Sequence, residues 1–256
     1  LARTRAPSDA AYLDGRLWGL SNKGQEGGKA GVDIGVAKAW TRTTGDINVV
    51  VAVIDTGIRH THFDLSGQMW RNPSEIPGNG VDDDRDGYVD NIFGIDVANN
   101  DGDPMDDNGH GTHCAGTIGA ASDNGLPHVG VARQVRLMAC KNLSANGWGY
   151  TSGAVKCIYW AVDKGAKILS NSWSGGHHSQ ALYEAIAMAR SKGVLFVAAA
   201  GNDGLNIDEN PQYPAAYDLD NIISVAAIDR NGEMPSWSNY GRKTVDLAAP
   251  GVWIFS

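Results

Sequence analysis

The segment Val49-Val50-Val51-Ala52-Val53-Ile54, closed by Asp55-Thr56-Gly57, decides the fold. Its apolar residues are continuous rather than alternating, the pattern of a strand buried on both faces, and it leaves a carboxylate at the strand's C-terminal tip. Further apolar runs at 135–140, 167–169, 194–199 and 222–227 are separated by stretches of helical periodicity at 110–121, 152–164 and 180–192. Strands alternating with helices predict an α/β chain, a three-layer doubly wound parallel sheet with helices on both faces. Ahead of the first strand, residues 1–31 are polar and glycine-rich and read as an arm wrapping the domain rather than a core element, and a helical stretch follows at 34–41. Residues 58–108 are too rich in Asp, Asn, Gly and Pro for a regular element, and so long an irregular stretch in a compact domain points to function. With no internal repeat, 1–256 reads as a single domain.

At 256 residues, 42% hydrophobic and 20% charged, the chain can bury a substantial core, which excludes the disordered and fibrous classes. A net charge of -8 argues against nucleic acid and anionic membranes as partners, and the clustering of the acidic residues suggests bound cations instead. No apolar run is long enough to span a bilayer. Leu1 is not a start methionine, so a piece of a longer precursor is expected. Cys114, Cys140 and Cys157 are too few for a disulfide scaffold and read as buried free thiols, with a Cys140–Cys157 bridge as the alternative. Asn142-Leu143-Ser144 is a lone glycosylation sequon.

In a doubly wound sheet the strand C-termini and helix N-termini share one edge, and ligands bind in the crevice there. Asp55 ends a strand. His110 opens a helix within Asn108-Gly109-His110-Gly111-Thr112-His113-Cys114-Ala115-Gly116, and Asn202 follows the strand 194–199. All three are expected at one crevice, and their chemistry is complementary. A buried carboxylate can orient an imidazole and stabilise its protonated form, and a carboxamide can donate to a developing oxyanion. The helix N-terminus is expected to favour the neutral ring, and glycines 109 and 111 to let a substrate backbone approach. A zinc pair on His110 and His113 is the competing reading, weakened by the lack of the Glu of His-Glu-x-x-His and of a third ligand.

At these residues the chain resembles the subtilisin-like serine proteases, the subtilases. The resemblance extends to Asn171-Ser172-Trp173-Ser174-Gly175-Gly176, Ala199-Ala200-Gly201-Asn202, Tyr213-Pro214-Ala215 and Ala249-Pro250-Gly251, in the family's order. It implies Asp55 as orienting acid, His110 as general base and Asn202 as oxyanion donor. It also implies an extended peptide held between an edge carrying Gly147 and Gly149 and another carrying Ser172, Ser174 and Gly175. Ala200 and Gly201 then help line the first pocket, and Trp173 shapes an outer one. Ser174 stands where the family usually has glycine, so its side chain either narrows the cleft or points away. Cys114, one helical turn after His110, is expected to pack beneath it.

What the resemblance implies for the whole is a calcium-stabilised serine endopeptidase acting on protein or peptide substrates by acyl transfer. It further implies a monomer with a propeptide inhibitor, in a secreted or secretory location. The family's nucleophile lies in a Gly-Thr-Ser-Met-Ala-like segment shortly after Ala-Pro-Gly, and no such segment occurs here. The expectation is therefore a domain lacking its C-terminal part, with the serine beyond Ser256 and no activity of its own. The rival is a catalytically inactive, calcium-binding scaffold that engages peptides without cutting them.

Two cation sites are expected. Asp82-Asp83-Asp84-Arg85-Asp86-Gly87-Tyr88-Val89-Asp90 fits Asp-x-Asp-x-Asp-Gly, whose closely spaced oxygens suit Ca²⁺. Phe93 at the twelfth position replaces the Glu of an EF-hand, so Asp82, Asp84, Asp86, Tyr88 and Asp90 need completion by Glu75 or Asp96. A second calcium site, implied by the resemblance, draws on Gln25, Asp64 and the loop 122–128, with Asn124 its side-chain ligand.

Overall fold

A computed structural model describes residues 6–256; residues 1–5 of the predicted arm lie outside the described residues. Among the described residues there are seven strands: β1 Gly45–Asp55, β2 Gly94–Asp96, β3 Gln134–Lys141, β4 Ile168–Asn171, β5 Leu195–Ala199, β6 Ile222–Ile228 and β7 Leu247–Pro250. They form one sheet in the order β2-β3-β1-β4-β5-β6-β7, with every pair parallel. From β1 the chain moves to β2 and β3 on one side, crosses back to β4 on the other, and continues outward. β1 therefore lies at the switch of direction, where a doubly wound sheet opens a crevice at its C-terminal edge.

The helices are α1 Ala10–Leu13, α2 Val36–Ala39, α3 His110–Gly119, α4 Thr151–Asp163 and α5 Gln180–Ser191. Alternation along β1 sorts them into layers. Ala52 and Ile54 join Met138, Ile158 of α4 and Ile186 of α5 in one cluster, while Val51 and Val53 join Leu137 and Ala115 of α3 in another. The sheet is thus covered on both faces, as its continuous apolar strands demand, each large side chain contributing about 1.5–3 kcal/mol by burial. On the α3 face, β1 and β3 are covered. Next to α3, half-buried Val197 and Val225 line an open groove of about 450 Å³.

Several expectations change. In the arm, Trp18 Nε1 donates to the Val252 carbonyl at 3.1 Å. The arm also forms core, because Ala11, Leu17 and Leu20 bury with Val36, Trp40 and Val129. These apolar residues lie irregularly among glycines and polar residues, so no period announced them. The predicted helix over 34–41 is a single turn, α2. The irregular region holds β2, a three-residue edge strand too short for any pattern to mark. β7 was not recognised either. Instead of free thiols, Cys140 and Cys157 form a disulfide, Cα atoms 5.9 Å apart, joining β3 to α4; Cys114 is free. Asn142 of the sequon is 5% exposed and sits against Gly153 at the cleft.

Replacing Cys140 and Cys157 together by alanine is expected to lower unfolding stability by about 3 kcal/mol, the value for a closed loop of this length. Urea unfolding of the two proteins measures it.

Candidate active site

β1 delivers Asp55 to the crevice at 0% exposure, and α3 begins beside it with His110. The His110 Nδ1–H donates to Asp55 Oδ1 at 2.7 Å, the tautomer assigned because an ionised carboxylate can only accept. Asp55 Oδ1 also accepts the Thr56 N–H at 2.7 Å, while Oδ2 is buried without a partner among the described residues. The hydrogen bond to Asp55, and then its charge, lift the imidazole's pKa above its ordinary value against the opposing effect of burial. The net direction is opposite to the one expected from the helix N-terminus alone. A helix N-terminus contributes only about 0.3–1 kcal/mol, less than a charge-assisted bond to a buried carboxylate.

Two residues that sequence reasoning missed, Lys141 and Asp106, hold this pair in place. Lys141, 1% exposed and in register with Asp55, donates from Nζ to the Thr56 carbonyl (2.8 Å), the Asp107 carboxylate (2.6 Å) and the Leu143 carbonyl (3.0 Å). One buried ammonium thereby joins the end of β1, the loop before His110 and one side of the cleft. Asp106 accepts from Thr56 Oγ1 at 2.9 Å and from the backbone N–H groups of Asn108, Gly109 and Thr112, capping the start of α3. Burial works to raise the Asp106 pKa, but these donors outweigh it and hold the carboxyl below the usual range. Gly111 serves packing rather than substrate: a Cβ there would lie 2.2 Å from the Gly57 carbonyl oxygen.

The predicted substrate residues Gly147, Gly149, Ser172, Trp173, Ser174, Gly175 and Gly201 all line one cleft, together with His110 and Asn202. Ala200 does not. It is 1% exposed because β5 carries it into the core, and only its carbonyl faces the neighbouring loop. The Gly175 N–H donates to the Tyr213 carbonyl at 3.1 Å, tying two walls together, and Trp173 Nε1 donates to the Ile54 carbonyl at 2.9 Å. Ser174 Oγ faces Gly201, lying 3.1 Å from where its Cβ would be, so the side chain narrows the cleft. Trp148 and Tyr150 stand exposed on the rim.

The groove beside α3 opens into this cleft. His110, Ser172, Ala199, Gly201 and Asn202 line both. His110 spends Nδ1 on Asp55 and its backbone N–H on Asn108, so Nε2, at the junction, is unbonded among the described residues. Cys114 lines the groove below it, its Sγ–H 3.6 Å from Ser172 Oγ, and burial pushes the thiol up to about 11. At that value it stays protonated and is a packing group rather than a nucleophile. His113, the would-be partner in a zinc pair, instead has Nε2 at 3.2 Å from the Ile254 carbonyl.

The acidic residues fall into two regions. Glu75, Asp82 and Asp84 place one oxygen each within 4.8 Å of one another, and Glu75 Oε2 and Asp84 Oδ1 are buried without partners among the described residues. Such orphaned buried oxygens are what a hard cation would satisfy. Lys164 pairs with both Asp84, at 2.5 Å, and Asp86, at 3.0 Å, and Asp86 also accepts from Trp160 Nε1 and the Asn91 amide. Asp90 instead accepts the N–H groups of Gly78, Asn79 and Gly80, pinning that loop, and only the backbone N–H of Tyr88 is engaged, by Asp86. At the second region Asn124 Nδ2 donates to Asp64 Oδ1 at 2.6 Å. Gln25 is held within the arm by the carbonyls of Gly15 and Ser21. The arm's contribution is Asp9, 3% exposed, whose carboxylate accepts the Asp123 N–H. Burial, with Asp123 and Asp64 nearby, pushes its carboxyl up against its backbone hydrogen bonds.

Residues 46–254 match the model described as the subtilase family. The chain is 38% identical over 218 residues to a thermophilic serine proteinase of Bacillus sp. (strain AK1), covering 85% of this chain and 47% of the relative. It is 36% identical to thermitase of Thermoactinomyces vulgaris, covering 86% and 68%. It is 34% identical to subtilisin-like protease 1 of Plasmodium falciparum (isolate 3D7), covering 80% and 33%. The chain thus spans about half of the first relative and two thirds of the second. Among solved structures, a cold-adapted subtilisin-like serine proteinase is similar at a TM-score of 0.63 and 31% identity, covering 82% of this chain and 66% of that one. A protease from Pseudoalteromonas arctica is similar at 0.74 and 28%, covering 96% and 73%.

Because a raised pKa means that folding favours the imidazolium, the His110–Asp55 stabilisation is complete below the ordinary histidine pKa of about 6.5 and is lost as pH rises through the higher folded value. Titration of His110 followed by NMR is expected to give a midpoint above about 6.5, and Asp55→Asn to bring it down.

Proposed function

Since this chain belongs to the subtilase family, we propose that it carries the acid, base and oxyanion donor of a serine endopeptidase whose nucleophilic serine is supplied by a segment beyond Ser256. The observation that carries this reading is the junction: His110 and Asn202 face both the peptide cleft and the groove beside α3. A serine entering from the groove meets the unbonded Nε2 on one side and a substrate carbonyl on the other. As its Oγ bonds to the carbonyl carbon, its proton passes to His110 Nε2, and Asp55 stabilises the imidazolium. Asn202 donates to the resulting oxyanion. His110 then returns the proton to the leaving amine as the peptide bond breaks, and water releases the acyl group by the same steps. Half-buried Val197 and Val225 in the groove also support a further segment that covers them.

In this reading residues 1–256 are one catalytic domain, incomplete at its C-terminal end, acting on extended protein or peptide chains. A propeptide inhibitor, a monomeric state and a secreted location come with the family likeness. Among the described residues no helix is long and apolar enough to cross a membrane. Calcium fits Glu75, Asp82 and Asp84, where it would satisfy the orphaned oxygens and tie down the acidic loop; a second calcium at Asp64 and Asn124 comes with the family likeness.

The chain extended through its downstream segment is expected to hydrolyse denatured protein. Asp55→Ala and His110→Ala should each lower kcat by about 10⁴-fold or more. Activity that survives both substitutions sinks the proposal, and peptide binding without cleavage by the extended chain favours the inactive scaffold. Excess EGTA is expected to lower the melting temperature of the wild type, and less so that of Glu75→Gln with Asp84→Asn; an unchanged wild-type value would refute calcium binding.

A further inference from the structure

Asn239, in the segment Trp237-Ser238-Asn239-Tyr240-Gly241, has no place in the chemistry above, yet it is 0% exposed and its carboxamide is bonded on both sides of Asn202. Its Nδ2 donates to the Ala200 carbonyl at 2.9 Å, and its Oδ1 accepts the N–H groups of Asp203 and Leu205, each at 2.9 Å. Its own backbone N–H donates to the Gly201 carbonyl at 2.9 Å. Four contacts therefore hold residues 200, 201, 203 and 205 to one buried side chain and its backbone. Asn202, between them, is exposed to the cleft.

An exposed amide stabilises a developing charge only if it is aimed before the charge appears, and an exposed side chain has no packing of its own to aim it. Direction must come from the backbone. We infer that Asn239 is the positioning residue of the oxyanion site: by clamping the chain on either side of Asn202 it sets where the Asn202 amide points. The inference rests on the reading of Asn202 as oxyanion donor.

Two features make the clamp specific. Gly201 has φ +110°, and a Cβ there would lie 2.2 Å from Asn239 Nδ2, so the glycine and the asparagine fit each other and a side chain at 201 would expel the carboxamide. Asn239 itself sits on an anchored segment. Ser238 Oγ accepts the Ala227 N–H of β6 at 2.9 Å, the Tyr240 N–H donates to the Leu205 carbonyl at 2.9 Å, and the Gly204 N–H donates to the Trp237 carbonyl at 2.8 Å. The carboxamide uses both acceptor sites of its oxygen and one of its two donors, a combination that neither serine nor aspartate can match.

The test is a double-mutant cycle in the extended enzyme. Asn239→Ala is expected to lower kcat about tenfold with KM unchanged, less than the ~10²–10³ known from removing such a donor in subtilisin. In an Asn202→Ala background the same substitution should cost no further kcat, since the aim of an absent donor is irrelevant, while the melting temperature falls equally in both backgrounds. Asn239→Asp keeps the shape and both acceptor bonds but sets a carboxylate oxygen against the Ala200 carbonyl in place of the donor. It is a second variant beside alanine, and its kcat loss should likewise vanish without Asn202. Equal kcat losses in both backgrounds, or a loss confined to KM, would overturn the inference. If Asn202→Ala alone leaves kcat intact, it is the oxyanion assignment that fails.

Discussion

A carboxylate removed from water at the end of β1 must be compensated, and the surrounding architecture is arranged around that need. Asp55 is fully buried, and a carboxyl in such a place depends on the donors that reach it. The His110 ring and the Thr56 N–H serve one oxygen. Thr56 is tied in turn to Asp106 through its hydroxyl and to Lys141 through its carbonyl, so the donors are themselves held. The raised pKa of His110 is a direct outcome of this compensation, and the lowered pKa of Asp106 shows the same logic one residue shell outward.

The sheet's switch of direction explains why these groups meet. With β3 on one side of β1 and β4 on the other, the segments leaving β1, β3, β4 and β5 all emerge at one edge. They bring Asp55, the Gly147 and Gly149 edge, the Ser172–Gly175 edge and Asn202 around a single cleft. The groove next to α3 joins that cleft at His110, which makes its ring accessible from two directions.

Much of the layout was legible because it is repetitive or local. Continuous apolar runs marked β1, β3, β5 and β6, and helical spacing marked α3, α4 and α5, each within a few residues. Where patterning was thin, reading failed. β2 has three residues, the arm's buried Ala11 and Leu17 follow no period, and the Cys140–Cys157 bridge depends on α4 landing against β3. Among the acidic residues the pattern located the loop but not its division of labour. Asp84 and Asp86 share Lys164, Asp90 accepts backbone N–H groups, and Glu75 comes within reach of Asp82 and Asp84.

The amino-acid sequence by itself determined the family likeness, the parallel sheet and the identity of Asp55, His110 and Asn202 as the residues to watch, because motif chemistry and hydrophobic period are local properties. Only the tertiary structure decided which side chains stand behind them. Lys141 meets Asp107, Asp9 comes within electrostatic reach of Asp64, and Asn239 clamps the chain around Asn202. Those partners lie tens of residues apart or on separate elements, and their pairing follows from how the layers pack, which no spacing along the chain encodes.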